Sequence, residues 1–108
     1  MDEDYEVAFQ LIATAGNAKS EAVLAIRAAR EGDFDGASKL MDSAQAQILD
    51  AHKLQTGLIQ QEALGNPVPI NIILVHAQDH LTSAMLMNDL AGELIELHSR
   101  VAAAGVSA

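Results

Sequence analysis

The sequence predicts an all-α protein, an antiparallel three-helix bundle, and three observations carry that prediction. Half of the chain is hydrophobic, built from Ala, Leu, Ile, Val and Met, with only Tyr5, Phe9 and Phe34 as aromatics and no Trp. That composition favours helices over a β-sandwich. Apolar residues recur at alternating spacings of three and four over long stretches, the rhythm of helix faces. Only Arg30-Glu31-Gly32-Asp33 and Leu64-Gly65-Asn66-Pro67-Val68-Pro69 interrupt it. A chain of 108 residues suffices for one core and not for two. Residues 1–108 therefore read as a single domain with helices over about 4–30, 34–62 and 70–103.

The first helix has Asp2, Glu3 and Asp4 at its start and Arg27 and Arg30 at its end, each suited to the helix dipole. Ala8, Leu11, Ala15, Ala18, Ala22, Ala25 and Ala29 form a narrow seam of small side chains, which permits close helix–helix approach. Tyr5, Phe9, Ile12, Gly16, Val23 and Ile26 form a second apolar line. Gly16 costs about 1 kcal/mol against Ala inside a helix, and tight packing is the expected reason for it. Gly32 then fits the left-handed position after a helix end, with Asp33 as the next N-cap. So short a link forces the first two helices to run antiparallel.

The second helix buries Ala37, Met41, Ala44, Ile48, Ala51 and Leu58, with Gln55 interrupting the seam. Gln45, Gln47, Lys53, Gln60 and Gln61 read mainly as its solvated side. Gly65 ends it, and Pro67 and Pro69 can stand only outside the third helix or in its first turn.

The third helix carries more apolar surface than a lone three-helix monomer needs. One stripe is Ile73, His76, His80, Ser83, Met87, Leu90, Leu94, Leu97 and Val101; another is Leu74, Ala77, Leu81, Ala84, Asn88, Ala91, Ile95 and His98. A third line runs Ile72, Val75, Asp79, Thr82 and Leu86. Helices near thirty residues make a rod roughly 40–45 Å long, with too much apolar side to hide alone. Self-association through the third helix is expected, with Asp79 near the contact between subunits.

Net charge is −9, and the six Lys and Arg are scattered. Without a basic stripe to neutralise phosphates, nucleic acid is not an expected partner; a protein with a positive docking face is. No Cys is present, so disulfide and thiolate chemistry are out, as suits the cytosol. The N-terminal MDEDYEVAFQ lacks the basic-then-apolar order of a secretory signal. The apolar run Ile70–Val75, broken by Asn71, falls far below the ~20 residues that span a bilayer. The expectation is a soluble, cytoplasmic protein with no direct membrane insertion.

Chemistry concentrates in His76, Gln78, Asp79 and His80, set among Ile72, Ile73, Leu74, Val75 and Leu81. Polar groups in such surroundings need partners or a task. His76, Asp79 and His80 stand at i, i+3 and i+4 and so share one side of a helix. An imidazole there could take a phosphoryl group as a nucleophile, one ring nitrogen free and the other held, with Gln78, His80 or a Ser hydroxyl near the phosphoryl oxygens. Equally, His76 and His80 could clamp a transition metal with Asp79 as third ligand. A third possibility is a non-catalytic scaffold whose histidines fill an apolar seam, the ordinary role of a lone His. Two His with Gln and Asp inside five residues favour function, but spacing leaves the first two readings nearly even. His98 fits favourable placement at a helix C-terminus, His52 is core or surface, and Met41, Met85 and Met87 read as core filler.

Val75-His76-Ala77-Gln78-Asp79-His80-Leu81 resembles the phosphorylation-site motif of the lactose/cellobiose (chitobiose) family of enzyme IIA, from the bacterial sugar phosphotransferase system. Gly16-Asn17-Ala18-Lys19-Ser20, Gly32-Asp33-Phe34, Ala51-His52-Lys53-Leu54-Gln55-Thr56 and Glu93-Leu94-Ile95-Glu96-Leu97-His98 fall where the family has similar segments, so the likeness covers nearly the whole chain. After His-Leu the family usually continues with Met-Thr, where this chain has Thr82-Ser83-Ala84. The resemblance implies a homotrimer packed as a nine-helix bundle. It implies a cytoplasmic phosphocarrier subunit that takes a phosphoryl group from the phosphocarrier HPr on His76 and passes it to a cysteine of the matching IIB, during uptake of a lactose-, cellobiose- or chitobiose-type sugar. Gln78 and His80 match residues beside the phosphorylated histidine. Asp79 matches a buried carboxylate that meets its symmetry mates on the trimer axis and holds one structural divalent cation per trimer, usually taken as magnesium.

Overall fold

A computed structural model describes residues 3–105, which form α1 (Glu3–Arg30), α2 (Phe34–Ala63) and α3 (Ile72–Ala103), with no strand among the described residues. Asp2 and the small residues after Gly105 lie outside the described residues. α1 is the central member: it packs along both other helices, whereas α2 and α3 share much less surface. Its alanine seam is the reason. Ala8, Leu11, Ala15, Ala18, Ala22, Ala25 and Ala29 are all buried, and small side chains let two neighbours approach one face.

The core falls into two clusters along the rod. One joins Leu11 and Ala15 to Ala51, Ala77, Leu81 and Ala84; the other joins Ala22, Ala25 and Ala29 to Ala37, Met41 and Ala91. Leu11 and Leu81 are the largest fully buried side chains, so the interior is thin. The molecule measures 57 × 25 × 19 Å with a radius of gyration of 16.9 Å, against about 13 Å for a compact domain of this length. It exceeds the rod of roughly 40–45 Å estimated from helices near thirty residues: α3, with 32 residues, by itself spans about 48 Å.

Both turns follow their local chemistry. Gly32 and Gly65 adopt φ 85°, where a Cβ would be strained. The Asp33 carboxylate accepts from the Gly36 backbone N–H at 2.9 Å, capping α2. α3 begins at Ile72 rather than residue 70, because extended Asn71 is its N-cap and Oδ1 accepts from Leu74 N–H at 2.9 Å. Pro67 and Pro69 bias the residues before them toward extended backbone, and the Asn71 cap decides where the helix starts.

Burial sorts the lines read from the sequence. On α3 the line through Ala77, Leu81, Ala84 and Ala91 faces the core, while Ile72, Val75, Asp79, Thr82 and Leu86 are all exposed. Tyr5, Phe9 and Met85 are exposed, whereas Met41 is buried and half-buried Met87 packs against the same cluster, so Met85 is the one of the three methionines that does not fill core. Nothing lies within 4 Å of where a Cβ on Gly16 would stand; close packing does not explain that glycine. Gln47 is half-buried rather than solvated, accepting from Asn17 Nδ2 at 2.6 Å and donating to the Glu21 carboxylate, which ties α2 to α1. No described helix is long and apolar enough to cross a membrane.

Candidate functional site

The Asn71 cap sets the start of α3, and the helical repeat then distributes the next turns among distinct sides. Taking about 100° per residue, the buried line and the exposed line Ile72–Val75–Asp79–Thr82–Leu86 lie on opposite sides of the helix. His76 stands roughly 80° to one flank of the exposed line and Gln78 roughly 80° to the other.

His76 is exposed and His80 half-buried. Their Nε2 atoms are 3.0 Å apart, with ring centroids at 4.4 Å and planes at 88°. One proton fits between two imidazole nitrogens at that distance, so one ring donates and the other offers its lone pair. With His80 as donor, a neutral His76 keeps its proton on Nδ1 and a lone pair on Nε2. That is a nitrogen nucleophile at the surface with an N–H donor beside it.

Gln78 is not brought to the His76 ring of its own chain. It is half-buried on the flank facing α2, where its Oε1 accepts from Gln55 Nε2 at 2.7 Å. Its backbone carbonyl accepts from Thr82 Oγ1 at 3.1 Å. Leu58, Ile59, Val68, Ile70 and Leu74 line a mainly apolar hollow beside the Gln78 side chain, with Glu62 at its wall. Gln55 is the participant that sequence reasoning left without a role; the available signal was a lone polar residue inside the apolar seam of α2.

Asp79 is exposed and has no hydrogen-bond or ion-pair partner among the described residues. Around it on the same line, Ile72 is 79% exposed, Val75 51% and Leu86 60%, an uncovered apolar strip of the kind that marks an interaction surface. No group of three His, Asp or Glu side chains among the described residues is arranged to hold a metal. The His76/Asp79/His80 clamp therefore lacks its coordination geometry within one chain. His52 is exposed on α2; His98 is half-buried at the far end of the rod, in a hollow with Arg30 and Gly32.

Residues 6–99 match the family model described as the lactose/cellobiose-specific IIA subunit of the PTS. The chain is 43% identical to the lichenan-specific phosphotransferase enzyme IIA component of Bacillus subtilis, over 94% of this chain and 93% of that protein. It superposes on the crystal structure of the PTS cellobiose-specific enzyme IIA from Bacillus anthracis with a TM-score of 0.93 and 41% identity, covering 95% of this chain and 94% of that one. The solution structure of the IIA(chitobiose)–HPr complex from Escherichia coli aligns with a TM-score of 0.80 and 40% identity, covering 94% and 98%.

Proposed function

This chain belongs to the lactose/cellobiose-specific IIA family of the phosphotransferase system (PTS), and from that premise we propose that His76 is its phosphoryl-carrying residue, in the cytoplasm, between HPr and a IIB cysteine. The observation that carries the reading is the exposed His76 ring with its Nε2 3.0 Å from His80 Nε2. In the first step the Nε2 lone pair attacks phosphorus in line as the nitrogen–phosphorus bond of phospho-HPr breaks, and the donor imidazole leaves with the electron pair. The His80 N–H, released from His76 Nε2, turns to a phosphoryl oxygen. In the second step a IIB thiolate attacks the same phosphorus, the His76 bond breaks, and the nitrogen recovers its lone pair. The lactose, cellobiose, lichenan or chitobiose specificity of the uptake system lies with other components, because no sugar takes part in either step.

Association through the exposed line of α3 completes the site. A parallel homotrimer, a nine-helix bundle, would cover Ile72, Val75 and Leu86 and gather three Asp79 carboxylates at its axis. Because His76 and Gln78 flank that line on opposite sides, His76 of one chain would then face Gln78 of its neighbour, whose amide could donate to the phosphoryl oxygens. The fit of a cation rests on Asp79 itself: a carboxylate on an apolar strip without a protein cation, offering the hard oxygen donors that magnesium or calcium prefers. Asp79 from each copy would hold the ion, which would supply the positive charge that clustered carboxylates need.

Incubation with phosphoenolpyruvate, enzyme I and HPr should give an acid-labile mass gain of one phosphoryl group that disappears in His76→Ala. No gain, or a gain that survives the substitution, overturns the assignment.

A further inference from the structure

We infer that Gln55 is a positioning residue for phosphoryl transfer, fixing which end of the Gln78 amide is offered to the phosphoryl group. The inference rests on the reading of His76 as the carrier and Gln78 as a contact to its adduct. A phosphoryl group presents acceptor oxygens only, so a glutamine helps it through NH2 and opposes it through its carbonyl oxygen. An unrestrained amide is free to show either end. Here the carbonyl end is taken: Gln78 Oε1 accepts from Gln55 Nε2 at 2.7 Å, and no other described side chain hydrogen-bonds that amide. Both glutamines are half-buried, and the hollow that Gln78 adjoins is lined by apolar side chains and by Glu62, whose carboxylate accepts rather than donates and so does not compete for Oε1. Thr82 Oγ1 holds the Gln78 carbonyl, so the local backbone is pinned as well. The Gln78 NH2 is thereby left as the end available for another oxygen. Gln55 hydrogen-bonds to neither histidine of its own chain among the described residues; it acts from α2 through Gln78.

The test is a double-mutant cycle on the full chain, with phosphoenolpyruvate, enzyme I and HPr, reading the rate of His76 phosphorylation. Gln78→Ala should slow it about tenfold, as expected for one hydrogen bond to a charged group. Gln55→Met keeps length and packing but removes the donor, and should slow transfer about three- to tenfold. Gln55→Glu offers only acceptors, turns the Gln78 carbonyl outward and should be slower still. In the Gln78→Ala background neither change at residue 55 should have any further effect, whereas a merely structural role would give additive losses. Thermal melts of each variant report whether the fold is intact. A Gln55→Met rate equal to wild type, or losses that persist without Gln78, overturns the inference while leaving the carrier reading standing. Phosphorylation that persists in His76→Ala overturns both.

Discussion

His76 and His80, one helical turn apart, share a single hydrogen bond between their Nε2 atoms at 3.0 Å, with the rings nearly perpendicular. That edge-on meeting leaves His76 exposed with the His80 ring beside it, which as the donor would serve a phosphoryl group carried on His76 under the proposed function. His80 should therefore govern the rate and lifetime of the adduct. His80→Ala is expected to slow phosphorylation of His76 by about ten- to a hundredfold, the worth of a charge-assisted hydrogen bond, and to shorten the phosphohistidine half-life. His80→Gln, which can still donate, should recover part of both. Phosphorus NMR of the phosphorylated protein checks the rate and the lifetime together.

Covering the exposed strip of α3 should depend on its apolar character. Leu86→Lys brings three like charges together in a trimer and is expected to yield monomers in sedimentation experiments. Helical content should be retained, because Leu86 takes no part in the core of the single chain.

Removing divalent cations with a chelator should lower the melting temperature of the wild-type assembly and leave Asp79→Leu unaffected. That substitution should preserve the trimer or strengthen it, since apolar packing replaces clustered charge. Metal-independent melting of the wild type, or dissociation of Asp79→Leu, would argue against an axial carboxylate.

Within the monomer, Leu81 is one of two large side chains that are fully buried. Leu81→Ala should cost about 2–5 kcal/mol in urea unfolding. Ala18→Leu, at a fully buried seam position of α1, should cost about 1–3 kcal/mol by overpacking.

Gly16→Ala should stabilise α1 by about 1 kcal/mol, because a Cβ there meets nothing within 4 Å. Asn88 invites a similar test: its Oδ1 is buried without a hydrogen-bond partner among the described residues, so Asn88→Leu should be neutral or stabilising in the same unfolding assay.

Much of this was legible from residues alone. The alanine seam of α1 announced a close-packed helix face because its spacing repeats at threes and fours without exception, and the structure makes that helix the central one. Gly32-Asp33 and Gly65 announced the turns because their chemistry is local. The HAQDH cluster announced that the His76 and His80 rings would meet, because residues four apart share one side of a helix. Periodicity could not say which of the two full-length stripes on α3 faces inward, since both repeat equally well; contact with α1 selects Ala77, Leu81, Ala84 and Ala91 and leaves Leu90, Leu94 and Leu97 exposed. Nor could it pair Gln55 with Gln78, 23 residues apart, or Gln47 with Asn17 and Glu21, because partners on different helices are set by how the helices dock. What lies within one helical turn was fixed by the order of residues; what lies between helices was decided only when packing chose their mutual rotation.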